Sequence, residues 1–106
     1  MDKVLDIDVQ TAKGWLDNGE ALLIDVREQD EFDAVHIEEA CLLPLSEFDA
    51  EQIPDIQDKK IIMQCRSGAR SHKAAVIAHD IDRPYTIYNL AGGILGWIEA
   101  GYPVKE

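Results

Sequence analysis

The chain has 106 residues, of which 46% are hydrophobic and 29% are charged, and its formal net charge is −11. This length predicts a single domain over residues 1–106. The negative charge disfavours nucleic acids and anionic lipids as partners, and no run of about 18 apolar residues is present to span a membrane. Because the N-terminus lacks the apolar core of a signal peptide, we expect a cytoplasmic protein.

Apolar runs that resemble strands alternate with helix-like segments along the chain. Residues 4–7 are predicted to form a first strand, and Asp8 is expected to cap a helix over 9–17. Residues 22–26 form a continuous apolar run, which is typical of a strand buried on both faces. A short helix over 29–35 is expected to follow.

The middle of the chain predicts a third strand over 40–43. Ser46, with Asp49 three residues later, resembles a capping pair that opens a short helix. Pro54 is expected to close this helix, because proline cannot continue it.

The last predicted elements are strands over 60–64 and 86–88 and helices over 69–79 and 94–100. Regular alternation of strands and helices with short connections favours an α/β fold. We therefore predict a mostly parallel, five-stranded central sheet flanked by helices on both sides, in three layers.

Residues 65–71 read C-R-S-G-A-R-S and join the predicted strand 60–64 to the predicted helix 69–79. Open α/β sheets bind ligands beyond the carboxyl ends of their strands. The helix N-terminus brings free N–H groups and partial positive charge to the same place. Cys65 is therefore predicted to be a nucleophile that is held as a thiolate.

The neighbours of the cysteine support this prediction. The side chains of Arg66 and Arg70 would add positive charge if they turned toward the sulfur, and Gly68 allows the backbone to curl around it. Ser67 and Ser71 carry hydroxyl groups that would bind the anion or cap the helix. One alternative is an inert buried thiol, which needs no arginines around it. The other is a solvated charge cluster, which does not account for the position of these charges on both sides of a thiol at a strand end.

The second cysteine, Cys41, lies in the predicted apolar strand over 40–43 and is expected to be a packed core residue. Its alternative role is a resolving thiol that forms a disulfide with Cys65 upon oxidation. The cysteines and histidines lack the spacing of a zinc site, so we expect no metal and no cofactor.

The spacing of the loop discriminates between reactions. Cysteine phosphatases use C-x-x-x-x-x-R, whereas Cys65 and Arg70 are separated by one residue fewer. A tighter ring of N–H groups is expected to suit an anion smaller than phosphate, such as a terminal sulfur on the cysteine.

Four stretches together resemble the single-domain rhodaneses, the thiosulfate sulfurtransferase family. Residues 23–32 read L-I-D-V-R-E-Q-D-E-F, residues 36–37 read H-I, residues 40–45 end in P-L, and residues 88–97 read Y-N-L-A-G-G-I-L-G-W. The resemblance covers nearly the whole chain and includes the C-x-x-x-x-R loop. It implies a rhodanese-like fold.

The resemblance implies that Cys65 takes a sulfur atom from a donor such as thiosulfate and carries it as a persulfide. Backbone N–H groups of five residues would hold this sulfur: Arg66, Ser67, Gly68, Ala69 and Arg70. A thiol would accept the sulfur, with thioredoxin, glutathione and a sulfur-carrier protein as candidate acceptors, or cyanide would accept it. A monomer is expected.

Other residues in the matching motifs are interpreted as structural. Arg27 is expected to pair with a carboxylate and fix the loop after its strand, and His36 is expected to be a hydrogen-bonded structural histidine. Gly92-Gly93 is interpreted as a tight turn beside the active site, and Trp15 and Trp97 as core aromatics.

Two other classes of function are left open by the sequence. One is a rhodanese module that is non-catalytic, or that carries sulfur or binds only one dedicated partner. The other is a phosphatase or arsenate reductase on a related fold, against which the short loop argues.

Overall fold

The computed structural model describes residues 4–49, 52–53, 59–79 and 86–106. The strands within these residues are β1 (Leu5–Ile7), β2 (Ala21–Asp25), β3 (Cys41–Leu42), β4 (Lys60–Gln64) and β5 (Ile87–Leu90). The helices are α1 (Val9–Asp17), α2 (Gln29–Ala34), α3 (Ala69–His79) and α4 (Gly93–Glu99), with a 3₁₀ turn at Leu45–Glu47.

The five strands form one sheet in the order β1-β5-β4-β2-β3, and every pairing between neighbours is parallel. The predicted α/β fold with a five-stranded parallel sheet is thereby confirmed. Strand β4 occupies the centre of the sheet. Its carboxyl end, and Cys65 directly after it, therefore lie where loops from both sides of the sheet converge.

Alternating side chains on the central strands pack into two separate cores, one on each face of the sheet. One core contains Ile24 and Met63 with the buried alanines of α3. The other contains Leu23 and Ile62 with Trp97 of α4 and residues of α1. This division explains the continuous apolar runs, because both faces of β2 and β4 are covered by helices or loops. Within the described residues, no helix has the length and hydrophobicity needed to cross a bilayer.

The ends of α1 agree with the sequence prediction. The Asp8 side chain accepts a hydrogen bond of 2.8 Å from the Thr11 N–H, as an N-cap residue does. At the other end Asn18 is the C-cap, and Gly19 has a φ of 73°. Glycine adopts this left-handed conformation without the steric cost that other residues bear.

The prediction that Ser46 caps a helix was wrong. Ser46 does not cap a helix but lies inside the 3₁₀ turn, and its hydroxyl donates to Glu28 Oε1 at 2.6 Å. The turn begins at Leu45 with Pro44 as its N-cap, so Ser46 does not occupy the position from which a side chain caps a helix. Pro54, the predicted end of that helix, lies outside the described residues.

A buried ion pair fixes the loop that follows β2. The Arg27 Nη2 atom lies 2.8 Å from Asp25 Oδ2 and donates to the Val35 carbonyl at 2.7 Å. Asp25 is 0% exposed and Arg27 is 3% exposed. The expected structural role of Arg27 is confirmed: the residue joins the end of β2 to the end of α2.

We expect Arg27→Met to lower the free energy of unfolding by about 3–5 kcal/mol, because Asp25 would remain buried without its partner. Lys13→Met is the matched control, since it removes only surface interactions, the exposed pair with Asp17 and a contact with the Tyr102 ring, and should change stability little. Urea unfolding followed by circular dichroism measures both variants. Equal losses in the two variants would contradict the prediction.

Candidate active site

Cys65 lies at the carboxyl end of β4, at the base of a short loop that leads into α3. The residue is only 1% exposed, and its Sγ atom accepts a hydrogen bond of 3.1 Å from the Gly68 N–H. Gly68 has a φ of 112°, so the backbone curls around the sulfur through a conformation that favours glycine. The loop thus curls as predicted and directs the Gly68 N–H at the sulfur.

Hydrogen bonds lower the pKa of the Cys65 thiol even though the thiol is buried. Burial by itself raises this pKa, but the Ser71 hydroxyl and the backbone N–H groups of Ser71, Gly68 and Ser67 act against it. The balance puts the pKa below its ordinary value of 9.0. A larger fraction of the sulfur is therefore thiolate at neutral pH than in a free cysteine.

The N-terminus of α4 holds the carbonyl groups of the loop away from the sulfur. The N–H of Ile94 donates to the Cys65 carbonyl at 2.9 Å, and the N–H of Leu95 donates to the Arg66 carbonyl at 3.2 Å. In a trans peptide the N–H points opposite to the C=O. The N–H groups of Arg66 and Ser67 are consequently directed away from α4.

Gly93 makes this close approach between α4 and the loop possible. A Cβ atom at this position would lie 2.4 Å from the carbonyl oxygens of both Cys65 and Arg66. Gly93 also has a φ of 57°, in the left-handed region. The interpretation of Gly92-Gly93 as a tight turn is confirmed, and the turn lies against the Cys65 loop.

A chain of polar side chains leads from the sulfur to the edge of the sheet. The Ser71 hydroxyl contacts the Gly68 carbonyl at 3.2 Å and donates to Asn89 Oδ1, while Asn89 Nδ2 donates to Asp6 Oδ1 at 3.0 Å. The hydroxyl carries one proton, so Asn89 Oδ1 and the Cys65 thiolate compete for it. Asp6 and Asn89 were not found by sequence reasoning, because only the pairing of β1 with β5 brings them together.

The two arginines of the loop differ in their surroundings. Arg70 forms two hydrogen bonds with Glu31 on α2, at 2.8 and 2.9 Å. Arg66 is exposed and forms no ion pair with any residue that the structure describes. Arg70 is thus a tether between α3 and α2, and its guanidinium, which the sequence suggested would add positive charge if it turned toward the sulfur, is bound to Glu31 instead.

The hydrogen bonds from Arg70 lower the pKa of Glu31 from 4.5 to about 2. Because this pKa is depressed in the folded state, the pair stabilises the fold fully above pH 4.5 and loses its effect as the pH falls toward about 2. Glu31 lies in the D-V-R-E-Q-D-E-F stretch, but its partner is 39 residues away and was not predictable from spacing.

The predictions for Cys41 were wrong. Cys41 is exposed and not packed in the core, since β3 is a two-residue strand at the edge of the sheet. Cys41 aligns with Ile24, and Ile24 aligns with Met63, so the Cα of Cys41 lies two strand spacings, about 10 Å, from Met63. Cys65 is two residues further along. A disulfide needs Cα atoms within about 7 Å, so an internal bridge to Cys65 does not fit this fold.

His36 and the two tryptophans have the structural roles that the sequence predicted. His36 is hydrogen-bonded through Nδ1 to the Phe32 carbonyl at 2.9 Å and stacks on the Phe32 ring, which confirms its structural role. Trp97 is buried and Trp15 is partly buried in the same core, as expected. Among the described residues, no three histidine, cysteine or acidic side chains converge in a way that would hold a metal ion.

A family model described as the Rhodanese-like domain matches residues 8–100. The chain belongs to the rhodanese-like domain family. A rhodanese-related protein from Thermoplasma volcanium superposes with a TM-score of 0.82 at 29% identity, over 95% of this chain and 97% of that one. The resemblance noted from the sequence motifs is thereby confirmed.

The curated relatives of this rhodanese-like chain include a protein named Sulfurtransferase from Allochromatium vinosum. It is 33% identical over 83% of this chain and 81% of its own length. Protein HIGH ARSENIC CONTENT 1, mitochondrial, from Arabidopsis thaliana is 32% identical over 96% of this chain. The chain spans 66% of that relative and only 47% of a Synechocystis relative that is 38% identical.

We expect Gly93→Ala to displace the loop, because the new Cβ would overlap two carbonyl oxygens. Gly19→Ala is the matched control: its φ of 73° is also left-handed, but nothing lies within 4 Å of the added Cβ. The control should lose only about 1 kcal/mol, from backbone strain, whereas Gly93→Ala should lose more and also raise the pKa of Cys65. Urea unfolding and thiolate absorbance measure these effects. A Gly93→Ala variant that matched the control in both stability and Cys65 pKa would contradict this role of Gly93.

We expect Ser71→Ala to raise the pKa of Cys65, because the substitution removes a side-chain hydrogen bond that favours the thiolate. Ser67→Ala should leave this pKa nearly unchanged, since Ser67 acts through its backbone N–H, which alanine retains. Thiolate absorbance is followed against pH in a Cys41→Ser background, so that only Cys65 titrates as a thiol. An unchanged midpoint in Ser71→Ala would refute this role of the hydroxyl.

Proposed function

We propose that the chain is a sulfurtransferase that moves a sulfane sulfur from a donor such as thiosulfate to a thiol or cyanide, through a persulfide on Cys65. The main support for this proposal is the environment of the buried Cys65 sulfur, which accepts a hydrogen bond from the Gly68 N–H of the loop and whose pKa is lowered. A relative named Sulfurtransferase supports the same class of reaction.

The reaction would take place in two displacement steps. The Cys65 thiolate attacks the outer sulfur of thiosulfate, the S–S bond of the donor breaks, and sulfite leaves with the bonding electron pair. The cysteine then carries a terminal sulfur with a negative charge. An acceptor thiolate attacks this terminal sulfur and leaves as a persulfide, or cyanide leaves as thiocyanate, and the Cys65 thiolate is restored.

The loop N–H groups supply the stabilisation that this cycle needs. In the resting state the N–H groups of Ser67 and Gly68 lower the free energy of the thiolate. The terminal sulfur of the persulfide would carry the charge one bond further into the loop, where the N–H groups of residues 66–70 are the candidate donors. Fixed donors aimed at a developing anion are a strong form of catalytic stabilisation.

The burial of Cys65 favours transfer of sulfur over transfer of phosphate. A residue that is 1% exposed is reached more easily by a single terminal sulfur than by a phosphoryl group with its three oxygens. The C-x-x-x-x-R spacing, shorter than the phosphatase loop, supports the same choice. Because one relative is named HIGH ARSENIC CONTENT 1, arsenate should be assayed as a substrate in addition to phosphate esters.

The charges around the loop favour an anionic donor. Arg66 and Lys73 are both exposed, and neither forms an ion pair within the described part of the chain. In a chain with a net charge of −11, these two cations give the loop a local field opposite to that of the whole molecule. We expect a monomer that acts in the cytoplasm on such a donor, with a small thiol or a protein thiol as acceptor.

The test is to incubate the protein with thiosulfate and to weigh it intact. We expect a gain of one sulfur atom that is absent in Cys65→Ser, retained in Cys41→Ser, and lost again upon addition of cyanide or glutathione. This pattern follows because only Cys65 lies among the loop N–H groups. Turnover of an aryl phosphate or arsenate without any sulfur uptake would favour the oxyanion enzymes instead. Sulfur uptake without release to any acceptor would favour a dedicated carrier.

A further inference from the structure

Gln64, the residue directly before Cys65, is fully buried and makes an unusual set of contacts. Its Nε2 atom donates to the Cys65 carbonyl at 2.9 Å. Its Oε1 atom is buried and has no hydrogen-bond partner among the described residues. The opposite assignment of the amide would place Oε1 against the Cys65 carbonyl oxygen, so this orientation is the favourable one.

An unsatisfied amide oxygen in the core lowers the stability of the fold. A buried polar atom without a partner costs about 1–3 kcal/mol, and such atoms are rare in proteins. Strand β4 is otherwise apolar from Ile61 to Met63, and an apolar side chain of similar volume at position 64 would avoid this cost. Residues that reduce stability in this way are concentrated at functional sites.

The benefit of Gln64 lies in its contact with the peptide group between Cys65 and Arg66. The Cys65 carbonyl accepts two hydrogen bonds of 2.9 Å, one from Gln64 Nε2 and one from the Ile94 N–H. Both lone pairs of this oxygen are therefore occupied. The two donors belong to different elements, β4 and α4, so together they fix the direction of the carbonyl and not only its position.

Fixing this carbonyl has two consequences for the sulfur. The negative end of the carbonyl dipole cannot rotate toward the Cys65 anion, and the Arg66 N–H is held on the side opposite to the carbonyl. The Arg66 N–H is also the first of the candidate donors, residues 66–70, for the terminal sulfur of the persulfide. Gln64 thus acts on the anion through the backbone, without contacting substrate.

We propose that Gln64 is a positioning residue, whose side-chain amide aligns the Cys65–Arg66 peptide for stabilisation of the sulfur anion and is retained at a cost in stability. This inference rests on the proposed sulfur transfer for its role in the persulfide state. Its effect on the resting thiolate does not depend on that proposal.

The test compares Gln64→Met with the wild-type protein in a Cys41→Ser background. Methionine keeps the approximate volume but has neither the amide donor nor the unpaired oxygen. We expect the urea midpoint to stay the same or rise and the pKa of Cys65 to rise. The lifetime of the Cys65 persulfide should fall about fivefold, the effect of one lost hydrogen bond.

Ile62→Leu is the matched control, because it exchanges a buried side chain of the same strand for one of similar volume in the core that does not contain Cys65. It should alter neither the pKa nor the persulfide lifetime. An unchanged pKa and lifetime in Gln64→Met would overturn the positioning role. A loss of stability larger than that of Ile62→Leu would overturn the inference that Gln64 is retained for function.

The outcomes also separate this inference from the proposed function. If the wild-type protein takes up no sulfur from thiosulfate or from inorganic polysulfide, the proposed function fails. The comparison of Cys65 pKa values then decides the role of Gln64 alone: a higher value in Gln64→Met supports it, and an equal value refutes it.

Discussion

The close contact between the N-terminus of α4 and the Cys65 loop is the constraint on which the site depends. Two N–H groups of α4 bind the carbonyls of Cys65 and Arg66, and this contact requires a residue without a side chain at Gly93. The helix supplies donors that its own first turn leaves unpaired, and the loop N–H groups become free to face an anion.

The opposite side of the loop is held by ion pairs rather than by backbone contacts. Arg70 is bound to Glu31 of α2, while Arg27 and Asp25 join α2 to the end of β2. The pair of Arg27 and Asp25 is buried, whereas the pair of Arg70 and Glu31 is partly open to solvent. The first pair therefore fixes the frame. The second pair tethers the loop to that frame. Because Arg70 is bound to Glu31, Arg66 remains as the exposed cation of the loop that could attract an anionic donor.

The sequence was sufficient for features that depend on short-range patterns. The bounds of β4 and α3 were predicted correctly, because an apolar run followed by C-R-S-G marks both ends of the loop between them. Asp8 was recognised as a cap from its position before a helix. Contacts over long distances in sequence were missed or misjudged: Ser46 binds Glu28 across 18 residues instead of capping a helix, and Cys41 is exposed because β3 lies at the edge of the sheet.

The sequence alone determined the kind of fold and the family, since local periodicity and motif spacing carry that information, and it located the thiol on which the proposed sulfur transfer depends. The tertiary structure decided how the sulfur is stabilised. Burial raises the pKa of Cys65, and hydrogen bonds from Ser71 and the loop N–H groups lower it below the ordinary value. Hydrogen bonds from α4 and Gln64 hold the adjoining carbonyls away from the sulfur. The directions of these hydrogen bonds depend on how β4, β5 and the helices pack together. A hydrogen bond between elements that are distant in sequence leaves no periodic signal in the chain.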